Sequence, residues 1–171
     1  MSRLSRLALI LIAISPAAIS PALHAQAILP RANVFLGYSY SHLDFGQGVT
    51  RNVNGYEFSG EGQVLPFLGL VADYSGHFGN NRLHEQNFLF GPRVSADVGR
   101  FRPFGQILFG LAHYSENGLG STSFGTGVGG GLDYQISGPV AWRNQVDYLR
   151  TGFFSGSQNN VRLSTGLAFR F

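Results

Sequence analysis

From Asn159 the chain runs to its end in strict alternation: Val161, Leu163, Thr165, Leu167, Phe169 and Phe171 take the odd positions, and Arg162, Ser164, Gly166, Ala168 and Arg170 the even ones. A period of two places each set on one face of a β-strand, so one face is large and apolar and the other small or cationic. The same alternation recurs upstream. Beyond Pro30 it predicts eight strands, near residues 33–43, 53–64, 67–76, 86–98, 102–114, 122–136, 139–151 and 160–171, and no helical period runs long enough to compete. Each is about the length of a tilted membrane-crossing strand, roughly 9 to 11 residues, plus a wet margin.

The connections alternate in kind. After the second, fourth and sixth strands they are tight, at Leu65-Pro66, Gly99-Arg100-Phe101 and Ser137-Gly138. After the first, third, fifth and seventh they read "DFGQGVTRN", "GHFGNNRLHE", "SENGLGS" and "GFFSGSQNN", long and polar. Short turns on one side, longer loops on the other and both termini on the short side is the layout of an outer-membrane barrel.

Which face is apolar decides between a soluble and a membrane barrel. The fourth strand sets Phe88, Phe90, Pro92, Val94, Ala96 and Val98 against Asn87, Leu89, Gly91, Arg93, Ser95 and Asp97. The seventh sets Val140, Trp142, Val146 and Tyr148 against Ala141, Arg143, Gln145 and Asp147. On the sixth, Gly125, Gly127, Gly129 and Gly131 share a face with Asp133, and a row of glycines cannot fill an apolar interior. With hydrocarbon outside, the large residues face lipid while small and ionic ones fill a narrow lumen. The expected fold class is therefore all-β, an eight-stranded antiparallel up-and-down transmembrane β-barrel. A soluble lipocalin-like binding barrel would instead need an apolar inward face.

Composition supports strands over helices: 24 glycines disfavour helix, while the aromatic residues, 13% of the chain, suit a pleated surface. The net charge of +3 includes Arg3 and Arg6, and the remainder shows no basic stripe suited to nucleic acid. Cysteine is absent, which excludes disulfides and thiolate metal sites. Arg3 and Arg6, the short apolar run Leu7 to Ile14 and Ala25-Gln26-Ala27 together read as a signal peptide, with Pro16 and Pro21 breaking any extension into a spanning helix. The expected division is 1–27, signal peptide, cleaved after Ala27 or after Ala25, and 28–171, barrel domain.

An eight-stranded barrel is just wide enough for side chains to fill, which predicts a plugged cylinder and no general pore. Charges in so narrow an interior must be paired. Inward parity falls to Glu57, Glu61, Asp73, Arg93, Asp97, Asp133, Arg143 and Asp147, joined by Arg162 and Arg170. A hairpin centred near Gly138 sets Asp133 opposite Arg143, and Arg162 reaches a height similar to that of Asp147. A turn centred near Leu65 sets Glu57 opposite Asp73 and leaves Arg93 to bridge them. The expected ion network is thus Glu57, Asp73, Arg93, Asp133, Arg143, Asp147 and Arg162, with Arg93 the least replaceable.

The signal peptide, the eight strands, "PFGQILFGLAHYS", "VGGGLDY" and the closing "VRLSTGLAFRF" resemble the small outer-membrane β-barrels of the OmpA/OmpX type, over nearly all of the mature chain. The resemblance implies the outer membrane of a Gram-negative bacterium, both termini periplasmic, and a monomer. It implies periplasmic chaperones, a final aromatic strand with Phe169 and Phe171 read by the barrel-assembly machinery, and surroundings of outer-membrane lipid and lipopolysaccharide. Members that grip peptidoglycan do so through a further domain after the barrel; with the chain stopping at Phe171, cell-wall tethering is not expected. A structural or surface-interaction role is expected, with no cofactor.

One motif offers chemistry. In "AHYSENG", His113 and Ser115 share a strand face with Glu116 beside them, the residue types of nucleophilic acyl transfer. Small outer-membrane lipid A deacylases carry a similar His-x-Ser on the outer face, but Glu116 stands where an Asn would follow the serine, and no oxyanion donor is identifiable. The reading is that the protein is not an enzyme, with His113, Ser115 and Glu116 the weak catalytic alternative. The histidines His42, His77, His84 and His113 are expected at strand tops or in loops, with no metal-ligand spacing.

Overall fold

A computed structural model describes residues 31–44, 50–79, 83–116, 119–152 and 158–171. The segment read as a signal peptide lies outside them. Eight antiparallel strands pair in chain order: β1 (Ala32–Asp44), β2 (Thr50–Leu65), β3 (Leu68–Gly79), β4 (Leu83–Ser95), β5 (Phe101–Glu116), β6 (Leu119–Ser137), β7 (Val140–Thr151) and β8 (Gln158–Arg170). Pairing of β8 with β1, from Asn33 opposite Arg170 to Asp44 opposite Asn159, closes the barrel.

The eight expected strands are all present, but several run further than the alternation suggested. β3 extends to Gly79 and β4 starts at Leu83, while β5 and β6 leave only residues 117–118 between them. Most of what read as long polar loops is strand. The cause is that a ladder needs only backbone donors and acceptors, so once a hairpin rises out of hydrocarbon its side chains can be polar without ending it. β4 is the opposite case, ending at Ser95, three residues before the expected Val98. There the chain closes through a Val98–Phe101 bridge around Gly99, whose φ of +62° disfavours residues with a Cβ although the space beside it is open. Gly138, φ +51°, serves the β6–β7 turn in the same way.

The two faces separate as the parity predicted. Leu70 (59% exposed), Phe90 (50%) and Ile107 (57%) point outward, while their inward neighbours Val71, Leu89 and Leu108 are fully buried. Tyr56 packs between Tyr74 and Phe78, each with ring centroids 6.0 Å away, and Phe78 meets His84 edge-on at 5.3 Å. Toward the short turns Phe101 packs on Tyr134 at 5.2 Å, and Trp142, opposite Tyr134, donates its indole N–H to Thr165. Aromatic rings near both ends of an apolar band are what the two polar boundaries of a bilayer favour.

The inward face is less exclusively polar than its sequence suggests. Phe35, Leu43, Leu89, Leu108 and Leu149 are buried inside, in small clusters above, between and below the charged groups. The glycine row of β6 makes room for them. A Cβ on Gly127 would stand 2.6 Å from Leu149, one on Gly131 would meet Phe104 at 2.7 Å, and one on Gly129 would collide with the Asp147 carboxylate.

Replacing Leu70 or Phe90 by Arg is expected to cost about 2 to 4 kcal/mol of folding free energy in lipid vesicles, the penalty for a cation at mid-bilayer depth. Chemical denaturation of the vesicle-inserted barrel measures it, and Leu89→Arg should act instead by crowding the lumen.

Candidate functional site

Three arginines organise the lumen. Arg162 of β8, with no exposure, donates to both oxygens of Asp73 across the barrel (2.7 and 3.3 Å), to Asp147 on the adjacent β7 (2.8 Å) and to Ser75 (3.0 Å), and stands 3.5 Å from Glu57. Arg143 grips its direct cross-strand partner Asp133 with a fork, Nε to Oδ1 at 2.6 Å and Nη2 to Oδ2 at 2.8 Å. Arg93 bonds Glu61 at 3.1 Å and directs its Nε at Gln106 Oε1 at 2.9 Å. The guanidinium carbons of Arg93 and Arg143 stand 4.4 and 4.7 Å from the centroid of the same ring, Phe104, so aromatic faces cover the two like charges.

One amide joins the Arg93 and Arg162 centres, and a second braces two carboxylates of the Arg162 centre. Gln106 accepts from Arg93 and donates to Asp147 at 2.6 Å, while Gln145 donates to Glu57 at 2.6 Å and to Asp147 at 2.9 Å. From Glu57 a hydroxyl relay continues through Ser164 and Ser39, 3.1 Å apart, to His77 Nε2, 3.0 Å from Ser39.

Every residue expected in the ion network faces this lumen, but one assignment is corrected. Arg93 does not bridge Glu57 and Asp73; Arg162 does, and Arg93 sits lower, against Glu61. The β3–β4 ladder holds Arg93 opposite Gly69, four residues below Asp73, whose own β4 partner is Leu89. The β2–β3 pairing differs as well: the turn lies at Pro66-Phe67 with a bulge between Gln63 and Leu65, so Glu57 lies opposite Ser75 and it is Ser59 that faces Asp73. Moving a hairpin centre by one residue moves each partner by two.

Three smaller readings also change. His77, expected in a wet loop, is 1% exposed inside the barrel. Asp97 and Arg170, expected in the lumen, meet at its short-turn mouth at 2.7 Å, and Asp97 lies beyond the end of β4 with its side chain half exposed. Partial burial opposes ionisation of Asp97, but the hydrogen bond from Arg170 and the charges of Arg170, Arg102 and Arg31 outweigh it and hold the carboxyl below its ordinary value.

Gln106, which joins the Arg93 and Arg162 centres, and Gln145 and Ser164, which bond Glu57, were not expected as members of the network. Inward parity was the available signal, but an uncharged side chain announces no partner. Among the described residues no group of three His, Asp or Glu is placed to hold a metal ion.

The weak catalytic motif lies on the outer face of β5. His113 is exposed and its Nδ1 is 2.8 Å from Thr122 Oγ1 on β6, while Ser115 sits opposite His84 on β4. The side chain of Glu116 lies outside the described residues.

No protein-family model and no curated protein sequence matches the chain. Solved structures do. Neisserial surface protein A superposes with a TM-score of 0.67 at 16% identity, covering 82% of this chain and 97% of that one. The outer membrane protein OprG of Pseudomonas aeruginosa gives 0.58 at 10% identity, over 83% and 96%. Ail, the attachment invasion locus protein of Yersinia pestis, gives 0.53 at 13% identity, over 82% and 99%.

Replacing Arg162 by Met should destabilise the folded barrel by about 3 to 5 kcal/mol, since it strands carboxylates that share one guanidinium. Urea titration in lipid vesicles reads this, and Arg93→Met, which strands fewer, should cost less. At identities this low the likeness to known structures is one of fold, and the fold is that of the eight-stranded outer-membrane β-barrels.

Proposed function

We propose that the protein is an outer-membrane β-barrel of a Gram-negative bacterium, with its short turns and both termini in the periplasm and a structural or surface-interaction role exerted from the loop end. The observation that carries this reading is the inversion of polarity: a continuous apolar outer band encloses a lumen filled by hydrogen-bonded ion pairs. Such an outer band in water would be an aggregation surface, whereas in hydrocarbon it is solvated. A filled lumen offers no general pore, which leaves the loop end as the part of the molecule that can meet a partner outside the cell. Closure removes unpaired strand edges and favours a monomer.

The same reading assigns outer-membrane lipid and lipopolysaccharide to the apolar band and its loop-side rim. Periplasmic chaperones and the barrel-assembly machinery deliver the chain. Phe171, 74% exposed at the end of β8, and Phe169 beside it are the proposed assembly signal. Two of the similar structures bear names that fit a surface role, a Neisserial surface protein and an attachment invasion locus protein.

Membrane fractions should release the protein only with detergent. Protease added to intact cells should cut within 45–49 or 152–157 and spare Pro66-Phe67 and Gly138-Pro139; cleavage confined to those two turns would reverse the orientation. Lipid A from cells making Ser115→Ala should keep the acyl pattern seen with the unmodified protein. A deacylated species lost on that change would establish an enzyme.

A further inference from the structure

At the short-turn end the barrel opens into a cleft of about 620 Å³, within the range of small-molecule sites. Three guanidinium groups line it, Arg31, Arg102 and Arg170, against two carboxylates, that of Asp97 and the main-chain carboxylate of Phe171. The Asp97 carboxylate is already shared: Arg170 Nη2 lies 2.7 Å from Oδ1, and Arg102 Nε lies 3.8 Å from the same oxygen. Arg102 also approaches Glu61 at 3.7 Å, but Glu61 is held more closely by Arg93 at 3.1 Å. The mouth thus holds more positive charge than its two carboxylates can neutralise.

A second observation points to a ligand. Asn33, 5% exposed, lies on the inner wall opposite Arg170 on one neighbouring strand and Glu61 on the other, and it lines the same cleft. Neither its Nδ2 nor its Oδ1 has a partner in the protein. A buried amide with both donor and acceptor unused is costly unless something from outside completes it. A bare anion could satisfy only the donor. A hydroxyl both donates and accepts, and the planar fork of arginine matches the oxygens of a phosphate.

We propose that this cleft binds a small group in which a phosphate-class oxyanion adjoins hydroxyls, of the glycerol-phosphate type. The arginines take the oxyanion and the Asn33 amide bonds the hydroxyls. Two sources share this chemistry: a free phosphorylated polyol, or the headgroup of an anionic glycerophospholipid. The inference goes beyond the proposed function and depends on it only for which compartment supplies the group.

The test is amide NMR of the folded protein in detergent micelles, titrated in parallel with glycerol 3-phosphate, inorganic phosphate and glycerol. Glycerol 3-phosphate should give saturable shifts around Arg31 to Asn33, Asp97 to Arg102 and Arg170, and glycerol none. Asn33→Leu should weaken glycerol 3-phosphate by about tenfold, the equivalent of one hydrogen bond to a buried group, while leaving inorganic phosphate nearly unchanged. Arg31→Gln, an exposed change that leaves the lumen intact, should weaken both phosphates together.

Absence of saturable shifts, an equal response to glycerol, or affinities indifferent to both substitutions would overturn the proposal. Nanodiscs separate the sources. If the protein in phosphatidylglycerol discs already shows the shifted signals, and added glycerol 3-phosphate moves them no further, the lipid headgroup is the occupant. If added glycerol 3-phosphate moves them equally in phosphatidylglycerol and phosphatidylcholine discs, the occupant is the free solute.

Discussion

The interaction on which the rest depends is that of Arg162 with Asp73, Asp147 and Glu57. A guanidinium with no access to solvent must find all its partners inside the protein, and here they come from β2, β3 and β7, none of them from its own β8. Strands on opposite walls are thereby held to one axial position relative to each other. Slipping β8 by one residue against its neighbours would aim Arg162 at lipid and Leu163 at the carboxylates, exchanging every favourable contact for a desolvated charge. Slipping it by two would keep the face but part Arg162 from Asp147. Ion pairs of this kind are weak evidence for net stability, since apolar replacements of matched volume can be as stable. What they supply in this barrel is a penalty against alternative registers.

Space and charge are solved together. An eight-stranded barrel has little interior volume, and the lumen admits four arginines, including Arg102, only because other inward positions are glycine or serine. Gly37 and Gly166 face each other on β1 and β8, leaving bare wall beside Arg143 and Glu57. Gly129 leaves room for the Asp147 carboxylate that Gln106, Gln145 and Arg162 all address. Phe104 fills the gap between Arg93 and Arg143 and turns a ring face to each.

Much of this was legible in the sequence because it depends on parity. Period-two alternation fixed which residues face inward along β3, β4, β6 and β7, and a glycine row beside Asp133 excluded an apolar core. Partner identity was harder, because it depends on where each hairpin turns to within one residue. The Asp133–Arg143 pair was visible since the β6–β7 centre falls on Gly138, a residue that turn chemistry marks. The β2–β3 hairpin turns about one residue later than its sequence suggests, and Arg93 was set at the height of Asp73 although the β3–β4 ladder holds it opposite Gly69, so the role of Arg162 was given to Arg93. Strand ends above the membrane were missed for a different reason: polar residues that remain in the ladder look, in sequence, like loop.

The central claim is that the outer face meets hydrocarbon while the inner face holds charge, and the absence of native cysteine makes it directly accessible to single-cysteine spin labelling. Labels at Val128, Val146, Tyr148 and Leu163, in lipid vesicles, should collide with dissolved oxygen and be shielded from a water-soluble nickel reagent, with oxygen access greatest for the positions deepest in the bilayer. Nickel access at these positions equal to that of a label at Gly138 in the turn would show that the face meets water, and would contradict the account.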